Sequence, residues 1–310
     1  MALSNESVNK IFSGDLQKRL FPNNDFVKES KVDKGIAFNA ESIDIPQETL
    51  DIETGKDPSK YPLEVQKSNN DKKTYTATLY YTKPFHIPNH EADILSYDKR
   101  SSILDSKSKK LRTDFAGDCA YNWSPTKKEN IIYTTGKAKS TKLAGATGLR
   151  KALTLHDFIE ADRILTNMDC PDSDRVALMS GNMYAELLTA GLEGFIGVDK
   201  LSKDLITQGV VGMILGFKIY KRSKAALYTN ADLPQKKELG STITATTNEA
   251  TLFWHPDFVR RGEGNVKVFS EFDKPLYLGS IANAAFRGGA TIGRKDEAGV
   301  VSLVQGTPSN

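Results

Sequence analysis

The sequence is poor in the residues from which most protein chemistry is built. In 310 residues it holds two cysteines, Cys119 and Cys170, and four histidines. Two cysteines cannot form a disulfide framework, which excludes a small secreted scaffold. Long apolar runs are also missing. The longest covers residues 209–217, far below the ~18–20 residues that span a bilayer. The opening MALSNESVNKIF has no charged segment followed by an apolar one. No signal peptide is read there, and a soluble protein made in a cytoplasm is expected. Charge of one sign is lacking too. Lys and Arg number 42 against 39 Asp and Glu, a net of +3. That balance argues against a dedicated nucleic-acid binder but leaves room for a local patch.

What is present suffices for a core. Hydrophobic residues make up 39% and charged residues 26%, as in an ordinary soluble globular chain. The length fits one large domain or two smaller ones. Composition is uneven along the chain. Residues 41–73 hold eight acids and five lysines, interrupted by Pro46, Pro58 and Pro62. Such a segment buries little apolar surface by itself. It reads as a short N-terminal arm followed by a long excursion loop.

Periodicity then places the elements. Tyr75, Ala77 and Leu79 alternate with threonines, predicting a strand over residues 74–79. A long helix is expected from an Asn89 cap to Trp123. Leu104, Leu111, Phe115, Cys119 and Trp123 recur at intervals of seven and four and form its apolar stripe. A break near Ser101–Ser102 or across residues 107–110 is the alternative. A second helical pattern covers residues 151–167. Thr154 and Asp157 form a capping box, and Leu155, Phe158, Ile159, Leu165 and Met168 form the buried stripe. Residues 175–179 predict a short strand, followed by a helix capped by Asn182. Residues 209–220 predict one further strand. Others are expected at 251–253, 266–269, 290–292 and 300–304, the last two joined by a turn at 295–299. Helices and strands mix without strict alternation, which argues for an α+β fold. No repeat of 20–50 residues is found.

Candidate chemistry is thin. His86 and His90 have a metal-like spacing, but Pro88 between them prevents a shared helix face. Neither cysteine has a neighbouring His or a second Cys, so both read as structural thiols. His156 with Asp157, and His255 with Asp257, are possible pieces of a hydrolase triad, yet no Gly-x-Ser-x-Gly elbow accompanies them. The stretch GKAKST at 136–141 lacks the leading glycine of a phosphate loop, since Ile131 stands there. No cofactor and no metal is expected. Residues 91–150 carry twelve basic side chains against seven acids, clustered at Lys107, Lys109, Lys110 and Arg112 and again at Lys137, Lys139 and Lys142. This basic stretch could face phosphates. It fits better as the complement of the acidic loop on another subunit.

The order is arm, charged loop, strand, long helix, mixed domain and late strands. The motifs are TLHDF at 154–158, DRVALM at 174–179 leading to Met183, Tyr184, Leu187 and Leu188, GVVGMILGF at 209–217 with KIY after it, LFWHPD at 252–257, and the passage at 39–47 ending in IPQ. Together they resemble the major capsid protein of tailed double-stranded DNA bacteriophages, of Hong Kong 97-type fold. The resemblance covers nearly the whole chain and is one of order and texture. It implies an N-terminal arm (1–40), an extended loop (41–82), a peripheral domain with a spine helix (83–150), an axial domain (151–259) and a return to the peripheral domain (260–310). It implies hexamers and pentamers of this chain in an icosahedral virion shell, assembled in the host bacterial cytoplasm without a membrane. A separate scaffold protein, a portal, possible decoration proteins and non-specific contact with packaged DNA follow as expected partners. The expected assembly contacts are Asp51, Glu53, Lys56, Tyr61, Lys72 and Lys73 of the loop, and Lys107, Lys109, Lys110 and Arg112 of the helix. No loop lysine is singled out for covalent cross-linking. A hydrolase using His156 or His255, and a nucleic-acid-binding protein, are the competing readings.

Overall fold

The computed structural model describes residues 22–33, 41–48, 56, 70–88, 99–189, 196–197, 200–201, 205, 209–276 and 278–308. One sheet has six strands. Its path is β1 (Lys31–Asp33), β16 (Val259–Glu263), β18 (Gly279–Ile292) and β17 (Lys267–Lys274), with β4 (Thr78–Tyr81) and β5 (Phe85–Pro88) also paired to β18. The expected single strand over 74–79 is therefore two. β3 (Asn70–Thr76) ends before Ala77, and β4 begins after it. Helix α1 (Lys99–Trp123) packs on this sheet against β18. It runs unbroken through Ser101–Ser102 and 107–110, so the two-helix alternative is excluded over that span. The expected Asn89 cap lies outside the described residues. Leu111, Phe115, Cys119 and Trp123 are all buried, as the periodicity requires.

The second sheet has nine strands: β10 (Ile196–Gly197), β11 (Gly212–Ile214), β12 (Phe217–Arg222), β9 (Val176–Ser180), β15 (Thr247–Trp254), β13 (Ala226–Thr229) and β14 (Lys236–Lys237). To these β19 (Val300–Val304) adds on β15, and β6 (Ile131–Tyr133) adds on β19. Helix α2 (Leu155–Asn167) covers β19 and β6, and α3 (Gly181–Thr189) follows β9 directly. Every residue of β9, β15 and β19 is buried. Residues 260–310 contribute strands to both sheets. β18 joins the helix-bearing sheet, while β19 joins the nine-stranded one. Two small hairpins stand apart, β2 (Ser42–Glu48) with β3, and β7 (Ala138–Ser140) with β8 (Leu149–Lys151).

Four further local expectations are corrected. Residues 209–220 form a hairpin, not one strand. Leu215 and Gly216 both take positive φ, 47° and 81°, and Ile214 pairs with Phe217 across a two-residue turn. The capping box of α2 is present, but residues 149–151 are strand, so the helix begins at Leu155. Ile159 is 47% exposed, and the inward face is completed instead by Ala161. The cap of α3 is the Ser180 hydroxyl, which accepts from Met183 N at 3.2 Å. Asn182 donates to Glu249 Oε2 instead, at 3.0 Å.

The two sheets meet at an aromatic seam. Trp123 of α1, Trp254 of β15 and Phe26 lie with ring centroids 5.6–6.3 Å apart. Both indole N–H groups find carbonyls, Trp123 to Arg260 at 3.1 Å and Trp254 to Glu29 at 2.7 Å. Two large rings are thus buried with no unmet donor.

Candidate assembly surfaces

The β2–β3 hairpin carries seven residue pairs, from Ser42 opposite Thr76 to Glu48 opposite Asn70. Alternation along its strands sorts two faces. On one, Ile45 and Tyr75 are buried. Beside them, Gln47 donates to Gly293 O at 2.9 Å and Lys73 Nζ to Arg294 O at 2.9 Å, Asp71 pairs with Lys295, and Tyr75 OH reaches Asp33 Oδ2 at 2.7 Å. On the other face, Asp44 accepts from Lys72 at 2.8 Å and from Thr74 at 2.6 Å. The hydrogen bond from Lys72 holds the Asp44 carboxyl below its ordinary range, and that from Lys295 does the same for Asp71. Partial burial lowers the Lys73 ammonium. The segment 293–297 is itself bolted to the end of α1. Glu297 accepts from Thr126 N at 2.8 Å, Thr126 Oγ1 at 2.6 Å and Lys127 N at 3.0 Å.

Of the loop contacts expected from the sequence, Lys72 and Lys73 sit in this hairpin and Lys56 is exposed. Asp51, Glu53 and Tyr61 lie outside the described residues. The helix cluster is not the bare patch that its composition predicts. Lys109 pairs with Asp105 at 2.8 Å, and Lys110 pairs with Asp114, both at i,i+4 spacing. Lys107 donates to Lys83 O at 2.7 Å and lies over the Phe85 ring. Arg112 is exposed. The structure thus brings two groups of expected residues onto separate elements, and it neutralises much of the second.

The candidate chemical groups are otherwise engaged. Asp157 accepts from Thr154 N at 2.7 Å and from Thr135 Oγ1 at 2.7 Å, while His156 faces solvent. They form no dyad. His255 is buried, and its Nδ1 caps a 3-10 turn by accepting from Asp257 N at 3.2 Å. Burial pushes the Cys119 thiol far above its ordinary value and the Cys170 thiol up to about 11, so neither supplies a thiolate at neutral pH. His90 lies outside the described residues; no cluster of three metal-ligating side chains occurs among those described. Gly136 of the GKAKST stretch packs against backbone. Its N–H donates to Ala152 O at 2.9 Å, and a Cβ there would meet that oxygen at 2.5 Å.

No family model matches the chain, and no curated protein matches it in sequence. Solved structures do match. The capsid of cyanophage P-SCSP1u superposes with a TM-score of 0.66, covering 98% of this chain and 94% of that one, at 16% identity. The capsid of Ralstonia phage GP4 gives 0.63 over 100% and 98%, at 13% identity. A structure from Mycobacterium phage Che8 gives 0.60 over 97% and 98%, at 15% identity. The chain has the phage capsid fold.

This is the α+β, Hong Kong 97-type architecture expected from the sequence. On the capsid fold one exposed feature escaped sequence reasoning. The described β17 residues Lys267–Glu271 are exposed on both faces, with Val268 50% and Phe269 49% exposed. At the turn into β18, Leu276 is 83% and Leu278 76% exposed, more than any other large apolar side chain described. The available signal was two leucines beside Pro275 in a turn, where no core could receive them.

Proposed function

We propose that the chain is a major capsid protein, a non-enzymatic subunit that closes as hexamers and pentamers into the icosahedral shell around a phage genome. The observation that carries this reading is the two-way match. Capsid chains cover 97–100% of this chain, and this chain covers 92–99% of theirs. A shell subunit needs sticky surfaces around its perimeter and closed symmetric contacts. The hairpin and the bare β17–β18 turn fit that need, because many weak contacts gain strength together through avidity.

In this reading residues 41–82 lie over a neighbouring copy, with Asp51, Glu53, Lys56, Tyr61, Lys72 and Lys73 as contacts. Lys107, Lys109, Lys110 and Arg112 of α1 receive a neighbour. Residues 1–40 act as the arm. The peripheral unit comprises 83–150 and 260–310, and the axial unit 151–259. The shell forms in the host cytoplasm with a separate scaffold and a portal, takes decoration proteins where present, and ends in the virion. Negative-stain electron microscopy of the expressed chain tests this. Closed shells or sheets of hexamers are the expected result. A uniform small oligomer in every buffer, with and without infected-cell lysate, sinks the reading. Replacing residues 49–69 by a short Gly-Ser link should leave a folded chain that assembles poorly; normal particles would remove the loop from the proposed contacts.

A further inference from the structure

The β7–β8 hairpin lies in a long basic stretch without an acid; in another such stretch, residues 205–231, Lys218 is paired with Asp174 and Lys221 lies over the Tyr184 ring. Residues 130–156 contain no Asp or Glu, yet hold Lys137, Lys139, Lys142, Arg150 and Lys151. All three β7 residues are exposed, as are Lys137 and Lys142 beside them. Lys137, Lys139 and Lys142 have no ion pair or side-chain hydrogen bond among the described residues, whereas Lys109 and Lys110 are paired with Asp105 and Asp114. Beside the hairpin runs a second acid-free segment, residues 239–248, rich in threonine. Arg150 binds the two together, with Nε to Asn248 Oδ1 at 2.6 Å and a second nitrogen to Ala245 O at 3.1 Å. Thr147 N donates to Ala245 O at 3.1 Å. The hairpin base is fixed to the last strand, with Lys151 N to Gly306 O at 2.7 Å and Gly306 N to Thr134 Oγ1 at 2.9 Å.

We infer that this face, Lys137, Lys139 and Lys142 with the flanking hydroxyls, contacts the sugar–phosphate backbone of duplex DNA. The inference rests on the capsid reading, which supplies the DNA. Free ammonium groups and exposed hydroxyls, in a stretch that itself carries no acid, are what a phosphate backbone takes without reading sequence; Asp157, hydrogen-bonded to Thr135 beside it, is buried. The acidic loop of a neighbouring copy fits the face less well. Its Asp44 and Asp71 are already paired with Lys72 and Lys295. Residues 49–69 carry Asp51, Asp57, Glu53 and Glu64 against Lys56, Lys60 and Lys67, which is close to neutral. Three phosphate contacts per copy give weak, salt-sensitive binding, suited to a wall that must not hold DNA fast.

The test is fluorescence anisotropy of a labelled duplex of random sequence with the full chain, between about 50 and 200 mM salt. The unsubstituted chain is compared with the triple variant Lys137→Gln, Lys139→Gln, Lys142→Gln and with the equal-charge control Lys83→Gln, Lys128→Gln, Lys200→Gln, three exposed lysines elsewhere. The hairpin variant should lose binding, and its log–log salt slope should fall by about 2.7, or 0.9 per phosphate contact. The control should keep the slope. Circular dichroism checks that both variants fold. No binding by the unsubstituted chain, or equal loss in both triples, overturns the inference. So does a hairpin variant that stops forming particles yet still binds duplex, since the face is then a contact between copies and the capsid reading stands. Loss of duplex binding only in the hairpin variant of a chain that never assembles keeps the DNA face and removes the shell.

Discussion

The nine-stranded sheet and the β2–β3 hairpin are both ladders of paired strands, yet they are held by different forces. In the sheet, β15 is buried along all eight residues, polar ones included. Phe253 packs edge-on between Phe158 and Phe217 at 5.2 and 5.0 Å. Buried polar side chains of β15 meet partners, as with Asn248 under Arg150 and Glu249 beside Asn182. The hairpin buries Ile45 and Tyr75, and the rest of its hold comes from exposed or half-exposed polar contacts to residues 293–295. Burial of apolar area stabilises in proportion to area, whereas exposed ion pairs contribute little. The sheet therefore fixes the fold, and the hairpin is held to it mainly by exposed or half-exposed polar contacts.

Mutations that sharpen this contrast should fall in order of size. Phe253→Ala should cost about 4 kcal/mol, because a large buried ring leaves a cavity that its aromatic neighbours cannot fill; chemical denaturation measures it. Arg175→Ala should cost about 3 kcal/mol. Arg175 is 1% exposed, and its loss strips partners from the carbonyls of Pro171 and Cys170 and from Asp162. A loss no larger than that from an exposed arginine would break the contrast from the sheet side.

Glu249 provides the pH test. Burial raises its carboxyl above the ordinary 4.5, against hydrogen bonds from Asn182 and Ser180 and with Glu186 and Lys224 nearby. The folded state then binds the proton more tightly than the unfolded chain. Its contribution is full below 4.5 and declines as pH rises through the raised folded value. Glu249→Gln should therefore raise the unfolding temperature at pH 7, and the gain should vanish on titration below pH 4.5. A gain independent of pH would show that the substitution acts through packing alone. Smallest of all, Asp71→Asn should leave the unfolding temperature unchanged. It removes one exposed partner of Lys295 and should show only as faster amide exchange in β2 and β3.

Helix α1 and its partners show how much was legible beforehand. The stripe at Leu111, Phe115, Cys119 and Trp123 and the capping box at Thr154 and Asp157 were readable because each depends on residues three or four apart. The Leu215–Gly216 turn was not, since its leucine carries no turn signal and takes positive φ only because the hairpin requires it. The basic cluster at 107–112 carries less free charge than its lysine count suggests. A count over sixty residues includes Asp105 and Asp114 but does not show that the helix sets them one turn from Lys109 and Lys110. The same count missed that residues 137–142 have no such neighbours.

By itself the sequence determined the local physics: composition, the stripe of α1, the capping box at Thr154 and Asp157, and the acid-free stretch at 130–156. Tertiary structure alone decided which strands meet. β1 pairs with β16 across more than two hundred residues, β19 lies between β15 and β6, and Trp123 meets Trp254. Such pairings gain their stability from apolar area buried between distant segments. No window of sequence contains both partners, so only the folded chain could reveal which side chains are covered and which surfaces remain for other molecules.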